Sequence, residues 1–315
     1  MSLKAVVSGV GAYLPERILS NDELAKVVDT SDEWIRERTG IRERRIAADG
    51  QYTSDLAAEA ARRALADAGA TAADIDLIIV ATTTPAIVQA KLGVERGAAF
   101  DIQAVCTGFV YALSTAEKFL VAGQHRRALV IGAETFSRIL DWEDRSTCVL
   151  FGDGAGAFVL EAVEESAAGG RGVLGSYLRT DGRLVDLLYV DGGVSSTRTA
   201  GHVRMQGNKV FREAVTRISE AMETVAAQAG IAPSDIDWFV PHQANERIIQ
   251  GVVKKLDLRP NQVISTIARQ GNTSAASIPL AYCEGVGDGR IKRGDLVMLE
   301  AMGGGLTWGA ALLRA

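Results

Sequence analysis

The chain has 315 residues, 47% of them hydrophobic and 23% charged, which supplies a large core and shows no sign of disorder or low complexity. A formal charge of −5 and a pI near 5.4 argue against general nucleic-acid binding, and no apolar run approaches the roughly 20 residues of a membrane helix. The opening Met1-Ser2-Leu3-Lys4 lacks the layout of a secretory signal, so a cytoplasmic protein with neither membrane nor nucleic-acid partners is expected.

In chain order, residues 4–13 form an apolar run of strand length, followed by Ser20-Asn21-Asp22-Glu23, the pattern of a helix capping box. Residues 52–68 predict an Ala-rich helix closed by Gly69, and residues 77–81 a buried strand. A strand-like run then ends at Cys106 and meets an amphipathic helix over residues 111–121, closed by Gly123; residues 128–132 predict the next strand. Residues 208–229, capped by Gly230, predict a long helix, and residues 238–240 and 296–299 two more strands. This alternation is α/β.

The second half echoes the first. Ala68-Gly69 before Asp74-Ile75-Asp76 matches Ala229-Gly230 before Asp235-Ile236-Asp237, a shift of 230 − 69 = 161. Leu129-Val130 matches Leu296-Val297, a shift of 296 − 129 = 167, and the glycine-rich hairpin segments 152–160 and 303–313 match more weakly. Two copies this long imply a pseudo-twofold pair of halves, residues 1–165 and 166–315, with a site between them.

Three cysteines without CxxC spacing, Cys106, Cys148 and Cys283, fit neither a disulfide framework nor a zinc site. Cys106 stands at a strand-to-helix turn, where unpaired N–H groups and the helix dipole favour a thiolate and Gly108 leaves room for a substrate. Taken alone it reads first as a buried, inert thiol, the usual fate of such a cysteine, and Cys148 and Cys283 read the same way. His242 follows a strand in Pro241-His242-Gln243-Ala244-Asn245, as an active-site edge of an α/β fold requires, while His125 and His202 sit in plain loops. No second ligand stands at metal spacing from His242. Asn272 opens a small-residue helix, either as a turn residue or, by the internal repeat, near the place that Cys106 holds in the first half. The run Gly303-Gly304-Gly305 offers backbone N–H groups to an oxyanion or simply a tight turn; no phosphate-loop pattern is present.

Taken together, Ala104-Val105-Cys106-Thr107-Gly108-Phe109, Val240-Pro241-His242-Gln243-Ala244-Asn245, Gly271-Asn272-Thr273-Ser274-Ala275 and Gly303-Gly304-Gly305-Leu306-Thr307-Trp308-Gly309 resemble the β-ketoacyl-acyl carrier protein synthases III of the thiolase superfamily. Phe151-Gly152-Asp153-Gly154-Ala155-Gly156-Ala157 and Asp32-Glu33-Trp34-Ile35-Arg36-Glu37-Arg38-Thr39-Gly40-Ile41 extend the resemblance over the whole chain. It implies a five-layered αβαβα thiolase fold, a homodimer, and decarboxylative Claisen condensation of an acyl-CoA, acetyl-CoA in the first place, with malonyl-acyl carrier protein to initiate fatty acid biosynthesis. It implies no metal or redox cofactor, CoA thioester being substrate. It assigns Cys106 as acyl carrier with His242 and Asn272 as partners, the N–H groups of Cys106 and Gly304 as oxyanion hole, and Thr30, Trp34, Arg38, Arg145, Gly207, Asn208, Phe211 and Asn245 to CoA. Arg212, Arg247, Lys254 and Lys255 match the docking patch for acidic carrier protein, the last three sharing a helix face at i, i+7 and i+8; apart from the resemblance they read as a solvated face.

The sequence departs from the family between residues 82–85 and 89–93, where only Ala86-Ile87-Val88 intervene. Family members use that segment at the dimer interface to wall the partner's acyl pocket, so the resemblance leaves the starter chain length open. Thiolases use a second catalytic cysteine and elongating synthases a second histidine; Cys283 lacks a glycine-rich strand end and position 272 is asparagine. A thiolase-fold acyltransferase or an alkylquinolone- or polyketide-type condensing enzyme is the nearest alternative. The order Cys, His, Asn also suits a papain-like hydrolase, though without the two-half repeat, and a non-catalytic scaffold is the third reading.

Overall fold

The computed structural model describes residues 2–82 and 84–315; Met1 and Thr83, the latter in the flank before the short segment Ala86-Ile87-Val88, lie outside the described residues. Nine strands build two main sheets. β1 (Leu3–Tyr13), β2 (Leu77–Ala81), β3 (Ala98–Asp101), β4 (Arg127–Thr135) and β5 (Asp153–Glu164) lie in the order β1-β5-β4-β2-β3. β6 (Gly172–Thr180), β7 (Trp238–Pro241), β8 (Leu296–Gly303) and β9 (Thr307–Arg314) lie in the order β6-β9-β8-β7. β2 runs parallel to β3 and β4, and β7 parallel to β8; the other pairs are antiparallel. In the second sheet the place of β3 is taken by a single parallel bridge between Phe239 and Val263.

The longer helices are α1 (Asp32–Thr39), α2 (Thr53–Asp67), α3 (Pro85–Leu92), α4 (Gly108–Val121), α5 (Gly207–Gln228), α6 (Glu246–Lys255) and α7 (Ser277–Gly287). Their layering follows from strand alternation. Ala128 and Val130 of β4 join Val297 and Leu299 of β8 in one cluster around Phe109, Leu113 and Ala116 of α4 and Ile278 and Ala281 of α7. Leu129 and Ile131 face the other way, onto α2. Met298 and Met302 likewise face α5 and α6. Both sheets are thus covered on both faces, and α4 and α7 form the middle of five layers, αβαβα, as the resemblance implies. A middle-layer helix must be apolar over most of its surface, and in α4 Phe109, Val110, Ala112, Leu113, Ala116 and Leu120 are fully buried while Lys118, in the last turn, is exposed. Each large aliphatic or aromatic side chain so placed contributes about 1.5–3 kcal/mol. The middle layer also demands close backbone approach: a Cβ on Gly132 of β4 would stand 2.3 Å from the Ala275 carbonyl oxygen.

Several expectations are adjusted. The strand over residues 4–13 begins at Leu3, and those starting near residues 128 and 296 run on to Thr135 and Gly303. Ser20 caps the four-residue helix Asn21–Leu24, but the Glu23 carboxylate pairs with Arg17, so only half of the capping box forms. Residues 153–160 belong to β5, which follows β4 after a long connection, so the segment 152–160 is not a hairpin. Ala128 lies opposite Leu77 and Val297 opposite Trp238, so the shift between the equivalent strands is 297 − 128 = 169, not 167. Gly69, Gly123 and Gly230 all take positive φ after their helices, as a left-handed cap requires.

Candidate active site

One cavity of about 450 Å³ opens between the two sheets' strand ends. Cys106, His242 and Asn272 line it together with Trp34, Arg38, Arg145, Gly207, Asn208, Phe211, Asn245 and Arg247. Eleven residues singled out in the sequence therefore converge on one space from both halves of the chain. Thr30, Gly304, Arg212, Lys254 and Lys255 are not in its wall.

Cys106 occupies a 3₁₀ turn, Val105–Thr107, that runs directly into α4. Val105 has φ 49°, a left-handed conformation costly for a β-branched residue. The second half repeats this turn at Ser274–Ala276, where Ser274 has the same φ of 49°. The structural counterpart of Cys106 is thus Ala275, at 275 − 106 = 169, and Asn272 stands three residues earlier, which corrects the pairing expected from the repeat. The β8–β9 turn is stitched onto the cysteine turn: Thr107 Oγ1 meets Thr307 Oγ1 at 3.0 Å, and Thr307 Oγ1 donates to Ala104 O at 3.1 Å. Gly303 lies against the Cys106 amide, since a Cβ there would come 2.8 Å from Cys106 N. This brings the Gly304 turn beside the cysteine turn.

His242 directly follows β7, its N–H donating to Glu300 O of β8 at 2.8 Å. Its Nδ1 meets Ser277 Oγ at 2.6 Å, and among the described residues Nε2 has no protein partner. Asn272 joins the strand end before β5 through Asn272 N to Leu150 O, 2.9 Å, and Gly152 N to Asn272 O, 3.0 Å. Its Oδ1 accepts from Ser274 N at 2.9 Å, which assigns the amide orientation and leaves the Nδ2 donor to the cavity.

Burial decides the charge states. It pushes the Cys106 thiol up to about 12, with the nearby Glu134 carboxylate adding to the rise. The helix-end thiolate expected from the sequence is therefore a thiol at rest, because loss of solvation outweighs the dipole. Burial holds His242 down to about 3, so the imidazole is neutral at physiological pH. Glu134 rises to about 8, also by burial. The Ser274 hydroxyl pulls both Cys106 and Glu134 downward, although it makes no hydrogen bond of regular geometry. Burial pushes Cys148 up to about 11 and raises Cys283 as well, in keeping with inert thiols.

At the mouth, Arg38 and Arg145 lie over the Trp34 ring at 4.5 and 5.1 Å, and Arg145 is held by Asp29 O at 2.9 Å. Phe211 is exposed beside them. An aromatic plate with two guanidinium groups suits a planar base carrying phosphates. Arg212 on α5 and Arg247, Lys254 and Lys255 on α6 are exposed, and among the described residues none of the four is in an ion pair. Also among the described residues, no group of three or more His, Cys, Asp or Glu is arranged to hold a metal, and no helix is long and apolar enough to cross a membrane.

Sequence reasoning missed Ser277, Gln243 and Glu134. Ser277 lies two residues past the stretch Gly271-Asn272-Thr273-Ser274-Ala275, and nothing in its neighbours signals a partner 35 residues upstream.

A family model described as 3-oxoacyl-[acyl-carrier-protein (ACP)] synthase III matches residues 100–182, and its C-terminal counterpart matches residues 226–315. The β-ketoacyl-[acyl-carrier-protein] synthase III of Rhodospirillum centenum is 60% identical over 322 residues, covering 100% of each chain. That of Caulobacter vibrioides is 62% identical over 321 residues, covering 99% of this chain and 100% of the other. The crystal structure of 3-oxoacyl-[acyl-carrier-protein] synthase III from Aquifex aeolicus VF5 superposes with a TM-score of 0.93 at 45% identity, over 99% of this chain and 100% of that one.

Proposed function

The chain belongs to the 3-oxoacyl-[acyl-carrier-protein] synthase III family of the thiolase superfamily, and on that premise we propose that it condenses an acyl-CoA, acetyl-CoA in the first place, with malonyl-acyl carrier protein to initiate fatty acid biosynthesis. The observation that carries this reading is the single cavity joining Cys106, His242 and Asn272 to the Trp34, Arg38 and Arg145 mouth.

In the first half-reaction the Cys106 thiol attacks the acyl carbonyl of acyl-CoA. The carbonyl oxygen is held by the N–H groups of Cys106 and Gly304, the C–S bond to CoA breaks, and the cysteine proton leaves with the CoA thiol. In the second, the malonyl carboxylate departs as carbon dioxide and its bonding electron pair becomes an enolate. The enolate oxygen is held by His242 and Asn272, both neutral donors. The enolate carbon then attacks the acyl group on Cys106, and the thiolate leaves and takes up a proton. A buried pair of neutral donors suits a developing oxyanion, because their dipoles are already oriented and little solvated. Metal and redox cofactors have no part in these steps, CoA entering as substrate.

Trp34, Arg38, Arg145, Gly207, Asn208, Phe211 and Asn245 line the CoA entrance, and Thr30, just before α1, is assigned to CoA with them. Arg212, Arg247, Lys254 and Lys255 form the docking face for acidic carrier protein. The protein acts as a cytoplasmic homodimer. The test is intact mass after incubation with a panel of acyl-CoAs, followed by addition of malonyl-acyl carrier protein. Acyl adducts absent from Cys106→Ser, and a β-ketoacyl product from the wild type, are expected. Adducts without that product would sink the condensing reading in favour of simple acyl transfer.

A further inference from the structure

Ser277 opens α7 and is fully buried. Its hydroxyl oxygen has two neighbours at hydrogen-bond distance: Gln243 N at 3.3 Å and His242 Nδ1 at 2.6 Å. The Gln243 N–H is only a donor, so Ser277 Oγ accepts there. That leaves the single hydroxyl proton, and among the described residues the one acceptor in reach is His242 Nδ1. If Nδ1 carried the imidazole proton, both neighbours would donate into Ser277 and its own proton would be buried unpaired, which is costly. With Nδ1 bare, every contact is satisfied and the imidazole proton sits on Nε2, the nitrogen on the cavity side.

The surroundings hold this arrangement in place. Gln243 donates from Nε2 to Pro241 O at 2.7 Å and Ile264 O at 3.2 Å. Its Oε1 accepts from Thr266 N at 2.7 Å and Ile267 N at 3.1 Å. Gln243 is itself fully buried, so neither its backbone nor a water can readily take the place of Ser277.

We propose that Ser277 is the positioning residue that fixes His242 in its Nε2–H tautomer, so that the imidazole offers a hydrogen-bond donor to the oxygen on which enolate charge develops. The inference rests on the condensing reading above for its catalytic consequence, but not for the tautomer itself. A hydroxyl in this place differs from a carboxylate, which would accept from Nδ1–H and leave a lone pair facing the substrate.

The chain has three histidines, so ¹⁵N-histidine labelling yields three ring patterns, and that of His242 is assigned by its loss in His242→Gln. Long-range proton–nitrogen spectra of the wild type near neutral pH are expected to show Nε2 protonated and Nδ1 bare. Ser277→Ala is expected to give averaged tautomers and to lower kcat of malonyl-carrier condensation by on the order of tenfold to a hundredfold, with KM little changed. Ser277→Thr, which keeps the hydroxyl, is expected to restore both. A protonated Nδ1 in the wild type overturns the proposal without any variant having to fold. So does a Ser277→Ala protein with wild-type kcat. A wild type that shows Nε2–H yet forms no β-ketoacyl product would overturn the functional reading while upholding the tautomer assignment.

Discussion

Gly303→Ala tests whether the packing of the β8–β9 turn on the cysteine turn controls acylation. The added Cβ would stand 2.8 Å from Cys106 N and 3.2 Å from both Ala104 O and Thr107 N, whereas ordinary contact begins at 3.4 Å. Relief therefore needs a backbone shift of 3.4 − 2.8 = 0.6 Å, and no flexible side-chain end is among these atoms to absorb it. Overpacking of this kind costs about 1–3 kcal/mol in stability. The shift exceeds the roughly 0.5 Å tolerance of a catalytic arrangement, and a 1 Å misplacement can cost a hundredfold. The expected loss in Cys106 acylation is thus about tenfold to a hundredfold, or about 1.4–2.8 kcal/mol of transition-state stabilisation. The assay is stopped-flow acylation by acyl-CoA read by intact mass, with thermal unfolding alongside. Gly287→Ala serves as control, because its Cβ would meet nothing within 4 Å. A folded Gly303→Ala protein that acylates within about twofold of the wild type would refute the reasoning.

Asn272→Ala removes the Nδ2 donor and is expected to lower condensation by about 10²–10³-fold, while acyl adducts on Cys106 still form; the product assay and intact mass check the two halves. Trp34→Ala is expected to raise KM for acyl-CoA about tenfold with little change in kcat, as loss of a stacking contact of about 1–1.5 kcal/mol would do. Charge reversal in Lys254→Glu/Lys255→Glu, two docking-face residues outside the cavity wall, is expected to raise KM for malonyl-carrier protein severalfold and to flatten its salt dependence, leaving acylation by acyl-CoA as it was. Stability should depend on pH through Glu134. Its folded pKa of about 8 lies above the ordinary 4.5, so the folded state binds the extra proton between those values. Its contribution is full below about 4.5 and is lost as pH rises toward about 8. Urea unfolding at both pH values should show Glu134→Gln losing less stability than the wild type on going from low to high pH, and an equal loss would contradict the assignment.

Much of the architecture was legible because its signals are local. The strands near residues 77, 128, 238 and 296 are continuous apolar runs, since each is covered on both faces. The strand-like run read up to Cys106 was placed too late: β3 is Ala98-Ala99-Phe100-Asp101, an edge strand with an exposed residue at each end, so neither a buried run nor strict alternation marks its bounds. The half-formed capping box at Ser20 failed for a similar reason, since Arg17, outside the motif, competes for Glu23.

The kinds of chemical group in the site and their order along the chain belong to the sequence: a cysteine before a helix, a histidine after a strand, and an asparagine opening a small-residue segment. Their protonation and aim belong to the tertiary structure. Charge state follows from desolvation, and desolvation comes from segments far apart in the chain, so Cys106 is a thiol and His242 a neutral ring only because both sheets close over them. The direction of each donor follows from one partner, Ser274 for Asn272 and Ser277 for His242. The first lies two residues away, the second 35, and only folding makes the second a neighbour.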